Sequence, residues 1–286
     1  MKRKLTGITL IGMFVVSASM AAVVNVFSDD FSDGNRDGWY RTSGGNLAVV
    51  DDSAGIGTGN ALDFDVNSSG TQRRILSNYD AVELVNIGDS LSLSFDFRIT
   101  GTGDLSGGFR FGLFDSRGAL QTADATSGTS SSNAADDQGY FGRLSVGTLA
   151  EARLQEDRAS GTSFMGGTDL STHATDAVFG GINDVLTHTA VLTVTRMAST
   201  NSEGEPLDIP VLSLLVDGTS YIDDPDGDRA SPRWTFDEVG FSGGNRDANF
   251  VIDNVNVDFA PIPEPATLGL MALSMGGLFV ARRFRV

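Results

Sequence analysis

The sequence contains no cysteine and almost no lysine. None of its 286 residues is a cysteine, and its two lysines, Lys2 and Lys4, lie at the extreme N-terminus. Disulfides, thiol nucleophiles and cysteine-based zinc sites are therefore excluded, and lysine-based covalent catalysis is excluded from the rest of the chain. A chain of this length does not need disulfides, because its hydrophobic core alone can stabilise it.

Positive charge is scarce throughout. The formal net charge is −17 at pH 7. Such an acidic chain repels phosphate backbones, so we expect no nucleic-acid partner. The acidity favours solubility and attracts cations, and Ca²⁺ in particular takes carboxylate and carbonyl oxygens as ligands. Both readings, simple solubility and a bound structural Ca²⁺, stay open at this stage.

Recognisable catalytic motifs are also missing. No Gly-x-Ser-x-Gly elbow occurs, and the two histidines, His173 and His188, have no nucleophile partner in a motif. We therefore predict that the protein is not an enzyme. A secreted glycan hydrolase or lyase with an unrecognised site is the alternative, and a pair of carboxylates in a cleft would favour it.

Both termini carry short apolar runs instead of long ones. Lys2, Arg3 and Lys4 precede an apolar run over 5–16, and small residues follow it. This pattern predicts a signal peptide over residues 1–21 with an N-terminal signal helix, cleaved after Ala21 in the small-x-small sequence Ser19-x-Ala21.

The C-terminal run is 15 uncharged residues, 266–280, between Pro263-Glu264-Pro265 and a basic end with Arg282, Arg283 and Arg285. As a helix it spans about 22 Å of a hydrocarbon core about 30 Å thick. The prolines mark its start, and the arginines favour the cytoplasmic side. We expect a transmembrane-like helix that anchors the chain transiently in the inner membrane.

These C-terminal residues resemble the PEP-CTERM sorting signal, here over 261–286. The resemblance implies an exosortase partner, a membrane-embedded cysteine protease that cuts near Pro263-Glu264-Pro265 and transfers the protein to an envelope acceptor. It implies localisation to the cell envelope, the outer surface or the extracellular space.

The segment between the two ends reads as β-structure. In Ser90–Ile99, apolar residues alternate strictly with polar ones, which predicts a half-buried antiparallel strand. Turns rich in glycine, aspartate and serine separate further runs of this kind. We predict an all-β fold, a two-sheet antiparallel β-sandwich of jelly-roll type in one domain over 22–260. The runs at 116–139 and 151–169 are expected to be loops.

The opening Asp29-Asp30-Phe31-Ser32-Asp33-Gly34 with Trp39, and the closing run 250–257, resemble concanavalin A-like lectin/glucanase modules. The Glu-x-Asp-x-Glu pattern of family-16 glucanases is absent from the chain. Galactose-binding-like modules open and close in a similar way, so both topologies stay open. The resemblance implies binding of extracellular polysaccharide or another glycan.

Two acidic groups are candidate calcium ligands. The run 223–228 places carboxylates at Asp224, Asp226 and Asp228, which can surround a hard cation. Asp30 and Asp253 match the places at which calcium-bearing carbohydrate modules share a structural ion, and a buried Asp253 would need a cation or hydrogen-bond donors. Solvated acidic turns are the alternative reading for both groups.

Aromatic residues are the candidate glycan contacts, because rings can stack on sugars but also serve as core residues. We expect Trp39, Tyr40 and Tyr140 to be ligand-binding. Together these patterns predict an exported, non-catalytic β-sandwich that binds glycan or forms part of an extracellular matrix.

Overall fold

A computed structural model describes residues 22–42, 45–53, 55–56, 59–65, 74–100, 108–125, 134, 136–145, 151–158, 165, 177–178, 182, 185–201, 203–224, 232–243 and 249–262. Residues 22–261 form one compact unit. The predicted signal peptide and C-terminal helix lie outside the described residues, and these contain no helix with the length and apolarity that a membrane crossing requires.

The described part of the chain consists of strands. In chain order they are β1 Val24–Asp29, β2 Trp39–Arg41, β3 Asn46–Asp51, β4 Asn60–Asp65, β5 Arg74–Glu83, β6 Ser90–Ile99, β7 Phe109–Asp115, β8 Gln138–Leu144, β9 Glu151–Arg158, β10 Ala177–Val178, β11 His188–Thr200, β12 Pro206–Val216, β13 Thr219–Asp224, β14 Thr235–Ser242 and β15 Phe250–Ala260.

The strands form two antiparallel sheets. The first sheet has the order β13-β12-β11-β6-β15-β4-β3, and β1 also pairs with β15. The second sheet has the order β10-β9-β8-β7-β14-β5-β2. The predicted all-β two-sheet sandwich is confirmed. The expected loop over 151–169 is wrong at its start, because β9 occupies Glu151–Arg158 with Ala152 and Leu154 in the core.

The core lies between the sheets and is rich in phenylalanine. Phe95 of the first sheet packs edge-on against Phe111 and Phe241 of the second, with ring centroids 4.8 Å apart in both pairs. The alternation in β6 buries Leu91, Leu93, Phe95, Phe97 and Ile99 on one face. Truncating one such ring to alanine typically costs about 3–5 kcal/mol, so these contacts hold the sheets together.

A second apolar cluster covers the opposite face of the second sheet. Leu76, Phe114 and Phe141 pack there with Ala134 and Met165. The second sheet is therefore covered on both faces over its centre, and its outer face is not an ordinary solvated sheet surface.

Candidate functional site

The first candidate region is a polar cleft beside β1 and β15, which we call the end cleft. It has a volume of about 470 Å³ and is lined by Ser28, Asp29, Asp30, Ser32, Asp33, Asn254 and Asn256. The pairing of β1 with β15, which places Ser28 opposite Asn256, forms it. The N-terminal Asp run and the closing strand therefore both line this cleft.

The carboxylates of the end cleft also hold the turn that follows β1. Asp29 accepts hydrogen bonds from the Phe31 amide at 2.9 Å and from Trp39 Nε1 at 2.8 Å. Burial raises the pKa of Asp29 although these hydrogen bonds oppose the shift. Hydrogen bonds from Ser32 lower the pKa of the exposed Asp30. Asp30 is thus a stable carboxylate facing the cleft.

The structure brings Asn254, and not Asp253, next to Asp30 in the end cleft. A bulge between Asp253 and Asn256 interrupts the pairing of β15 with β6, and Asn254 adopts a φ of 51°. Asp253 is fully buried, and one of its carboxylate oxygens accepts the Asn254 amide at 2.7 Å. Among the described residues, no group of three acidic, histidine or cysteine side chains has an arrangement that could hold a metal ion. Shared calcium binding by Asp30 and Asp253 stays a prediction.

The remaining sequence-based sites fall largely outside the described residues. Asp224 ends β13, but its side chain is not described, and the described ranges do not include Asp226 and Asp228. They also do not include the cleavage residues Ser19 and Ala21 or the sorting residues Pro263, Glu264, Pro265, Arg282, Arg283 and Arg285.

Two of the three candidate glycan-binding aromatics lie in the core. Trp39 is 1% exposed and packs against Phe27, Phe31 and Phe241. Tyr140 is 0% exposed, and its hydroxyl accepts the Arg233 amide at 2.8 Å. Neither ring presents a face to solvent, because strand alternation turns both inward. Tyr40 points the other way and packs on the outer cluster of the second sheet.

A line of arginines crosses the outer face of the second sheet, and we call it the arginine row. Arg110 lies opposite Arg143, which lies opposite Arg153. On the other side, Ser242 separates Arg110 from Arg74. Neighbouring strands are about 4.8 Å apart, so the row extends over roughly 19 Å across five strands.

Two buried carboxyl groups, Asp137 and Glu238, form what we call the acid pair. Each is 1% exposed, and a hydrogen bond joins the two carboxyl groups when one of them is protonated. Burial raises the pKa of both groups, and the charge of Glu238 raises that of Asp137 further. Glu238 lies four residues before Ser242 on β14, about 13 Å from the arginine row along the strand.

The sequence contains a local signal for the arginine row. Arg110, Arg143 and Arg153 each stand between two apolar or glycine residues of a strand. Period-2 alternation puts such an arginine opposite the core face. Which arginines share a row depends on strand register, and register is a property of the folded sheet.

Comparison with known proteins identifies the C-terminus. Residues 261–285 match the family model described as the PEP-CTERM protein-sorting motif. The predicted sorting signal is confirmed, and it indicates an exported protein that is sorted to the cell envelope. The sequence matches no curated protein.

The solved structures to which this chain is similar have low sequence identity to it. The carbohydrate recognition domain of Emp47p is 14% identical with a TM-score of 0.42, covering 84% of this chain and 95% of that one. The alginate lyase Aly36B is 12% identical with a TM-score of 0.41, covering 86% and 100%. The cellulose induced protein Cip1 is 12% identical with a TM-score of 0.46, covering 81% and 96%.

Proposed function

We propose that this protein is an exported, envelope-sorted and non-catalytic β-sandwich that binds glycan through the outer face of its second sheet. The observation that carries the proposal is the set of charged side chains on that face, the arginine row and the acid pair. Arg74 of the row is buried with two nitrogens that make no hydrogen bond, and buried polar groups without partners ask for an explanation. A ligand that supplies hydrogen bonds and charge is such an explanation.

The sorting motif supports the proposed localisation and partner. An exosortase would process the chain near Pro263-Glu264-Pro265, after transient anchoring of residues 261–286 in the inner membrane. The sandwich would then act outside the cell as a glycan-binding or matrix component. Expression with and without an exosortase gene tests this step by the mass of the mature protein: an unchanged mass would reject processing.

Binding of the full chain to a polysaccharide array tests the main proposal. We expect binding to at least one polysaccharide, and we expect Arg143→Ala to weaken it by about tenfold, the loss of one charge-assisted contact. Arg117→Ala is the matched control, because Arg117 is exposed on the turn after β7, and it should bind like the wild type. No binding across the array would leave only a structural matrix role.

A second function, glycan hydrolysis or lysis, is favoured by the acid pair. Because burial raises both pKa values, the pair would hold a proton at neutral pH, as a general acid must. Release of reducing ends or of unsaturated sugars from the bound polysaccharide, abolished in Glu238→Gln, would establish this function. Binding without any product after long incubation would reject it.

We also propose a structural Ca²⁺ in the end cleft, where Asp30 and its neighbours supply oxygen atoms of the kind that Ca²⁺ prefers. A chelator should then lower the melting temperature of the wild type, because removal of a ligand bound only by the folded state destabilises that state. Asp30→Asn should melt at the same temperature with and without chelator. A wild-type melting curve that the chelator leaves unchanged would end the calcium proposal.

A further inference from the structure

The chain enters and leaves the sandwich at the same place. Val24, at the start of β1, is the register partner of Phe259, near the end of β15. Both ends of the sandwich therefore lie at one end of the first sheet, which we call the terminal end. The two apolar runs of the sequence, 5–16 and 266–280, precede and follow the sandwich along the chain, so both are joined to it at the terminal end.

Two further elements reach the terminal end. Ser90, the first residue of β6, pairs with Ala260 of β15 on one side and with Thr195 of β11 on the other. The turn before β6 and the part of β11 beyond Thr195 therefore lie at the same end as Ala260. Neighbouring strands are about 4.8 Å apart, so these elements and the start of β1 lie within roughly 15 Å across the sheet.

Exposed apolar side chains collect at the terminal end. Nine large apolar side chains are exposed in the described part of the chain, and six of them belong to these four elements. We call the six the apolar rim: Val23, Val24, Val85, Ile87, Met197 and Ile262. Single exposed apolar residues are normal on a protein surface, but a group of them marks a site of contact with a protein or a membrane.

The turn before β6 holds two members of the rim outward. Asp89 is 1% exposed, and its carboxylate accepts the Val85 amide at 3.0 Å and the Asn86 amide at 2.7 Å. Turns favour glycine and polar residues, yet Val85 and Ile87 in this turn are 58% and 42% exposed. Because the buried carboxylate fixes the backbone of the turn, these two side chains leave water only if another surface covers them.

The chain beyond the sandwich identifies that surface. Only Pro263-Glu264-Pro265 separates Ile262 from the run 266–280, and this link spans at most about 14 Å when extended. As a helix the run covers about 22 Å of a hydrocarbon core about 30 Å thick. A helix that is too short is accommodated by local thinning of the bilayer. An anchored chain therefore has little free length with which to hold the rim away from the lipid.

Charge restricts the kind of membrane contact. Glu83, Glu203 and Glu205 are exposed at or beyond the terminal end, and Arg196 is paired with Asp208. Segments that bind anionic lipid use lysine and arginine on their polar face, which this end does not offer among its described residues. The contact that fits is apolar, at the boundary between the headgroups and the acyl chains of a zwitterionic bilayer.

We propose that the apolar rim inserts into the headgroup region of a zwitterionic lipid bilayer while the run 266–280 anchors the chain. This inference rests on the proposed transient anchoring and adds a second membrane contact to it. Two contacts fix the orientation of the sandwich on the membrane and hold Pro263-Glu264-Pro265, the proposed processing site, at the level of the headgroups.

The absence of cysteine makes a labelling test direct. The full chain is reconstituted in phosphatidylcholine liposomes with one fluorophore on Val85→Cys, Ile87→Cys or Leu186→Cys, and lipids brominated at known depths quench the label. The labels at the first two positions should lie about 5–10 Å into the boundary between headgroups and acyl chains. Leu186 is the matched position, because it is 60% exposed just before the start of β11, at the opposite end of that strand, and its label should stay in water.

Variants test whether the rim itself makes the contact. With the label on Met197→Cys, the combination of Val85→Ser and Ile87→Ser should shift the equilibrium away from the inserted state by about tenfold or more, since it removes two apolar side chains. Val185→Ser with Leu186→Ser is the control, because it makes a similar change at the opposite end of β11, and it should leave the quenching unchanged. All the replaced side chains are exposed, and an unchanged melting temperature will show that the fold is retained.

The outcomes separate docking from anchoring. A chain that resists carbonate extraction from the liposomes, but whose labels at the rim are as wet as the label on Leu186→Cys, would overturn docking and keep the anchor. A chain that carbonate removes would overturn the anchor, and docking with it. Labels that are dry but not quenched by lipid would show that a second copy or the chain's own C-terminal residues cover the rim, and would overturn the lipid contact. An equal loss of quenching in the control pair would overturn the assignment to the rim.

Discussion

Burial is accompanied by opposite pKa shifts in the acid pair and in Asp124. In the acid pair, burial raises the pKa values of both carboxyl groups. In Asp124, burial also acts to raise the pKa, but hydrogen bonds from Arg36 and Arg41 outweigh it and lower the pKa to about 2. The two sites therefore predict opposite dependences of stability on pH.

The acid pair should make the folded state less stable as pH rises. A carboxyl group with a raised pKa in the folded state contributes stability below its unfolded pKa, near 4, and loses it as pH rises through the folded pKa. Between pH 5 and pH 8 the melting temperature should fall, and Asp137→Asn should reduce that fall. At pH 8 the variant should be more stable than the wild type by about 1 kcal/mol.

Asp80→Asn is the matched control for that experiment, because Asp80 is exposed on β5. It should keep the wild-type dependence on pH. Identical pH profiles for Asp137→Asn and the wild type would contradict the prediction.

Asp124 should act as an ionic clamp between β2 and the turn region after β7. Its carboxylate accepts hydrogen bonds from Arg36 at 2.8 and 3.1 Å and from the Arg41 side chain at 2.9 and 3.1 Å. Asp124→Asn leaves two arginines without their counter-ion and should lower the free energy of unfolding by about 1–3 kcal/mol at pH 7.

Because the pKa of Asp124 is lowered, its contribution is present above pH 4 and is lost as pH falls towards 2. Denaturant unfolding at pH 7 and pH 3 measures the difference between variant and wild type, which should be smaller at pH 3. Asp51→Asn, at an exposed strand end, is the control with little expected effect. A difference that grows towards pH 3 would refute the clamp.

Among the elements, β15 has the most varied pairing. It pairs with β6 along one edge, and its other edge pairs with β4 at Phe250–Ile252 and with β1 from Val255 to Phe259. The change of partner occurs at the bulge, where Asn254 has a φ of 51° and donates its amide to Asp96 at 2.8 Å. Asparagine tolerates this left-handed backbone better than most residues.

Substitution of Asn254 should separate the backbone requirement from the side-chain hydrogen bond. Asn254→Val should lower the free energy of unfolding by about 2 kcal/mol, because a β-branched residue is strained at positive φ. Asn254→Gly should stay within about 1 kcal/mol of the wild type. Denaturant unfolding measures both. An equal loss in the two variants would assign the effect to the hydrogen bond with Asp96.

Strand prediction from the sequence was right for β6 and wrong for β9. The predicted strand at Ser90–Ile99 is β6, because alternation of apolar and polar residues directly reflects one buried face. The start of the expected loop over 151–169 is instead β9, in which Arg153, Gln155 and Asp157 alternate with Ala152, Leu154 and Glu156. Both faces of that strand carry charge or amides, and the alternation is correspondingly weak.

At the scale of the whole molecule, the first and last strands pair with each other and complete the first sheet. Because β1 and β15 are neighbours, the first sheet contains both ends of the 22–261 unit. We expect a protein comprising residues 22–261 to unfold in a single cooperative transition. Its melting temperature should equal that of the same chain with residues 262–286 retained.

Removing β1 by starting the protein at residue 31 is the informative comparison, since it exposes one edge of β15 and deletes Asp29, which anchors Trp39. This shorter protein should melt at a clearly lower temperature or fail to fold. Calorimetry of all three proteins checks the prediction. Retained stability without β1 would contradict the closing role of the β1–β15 pair.

The sequence by itself determined the features that depend on local order. Sorting to the cell envelope follows from a contiguous motif at the C-terminus, and the all-β class follows from alternation within single strands, since each pattern is read along a short stretch of chain. Only the tertiary structure decided which side chains share a site. Arg74, Arg110, Arg143 and Arg153 come from four strands, and strand order and register alone align them. The same register turned Trp39 and Tyr140 into the core and placed Asn254, instead of Asp253, beside Asp30, because a one-residue change at a bulge reverses the face to which a side chain points.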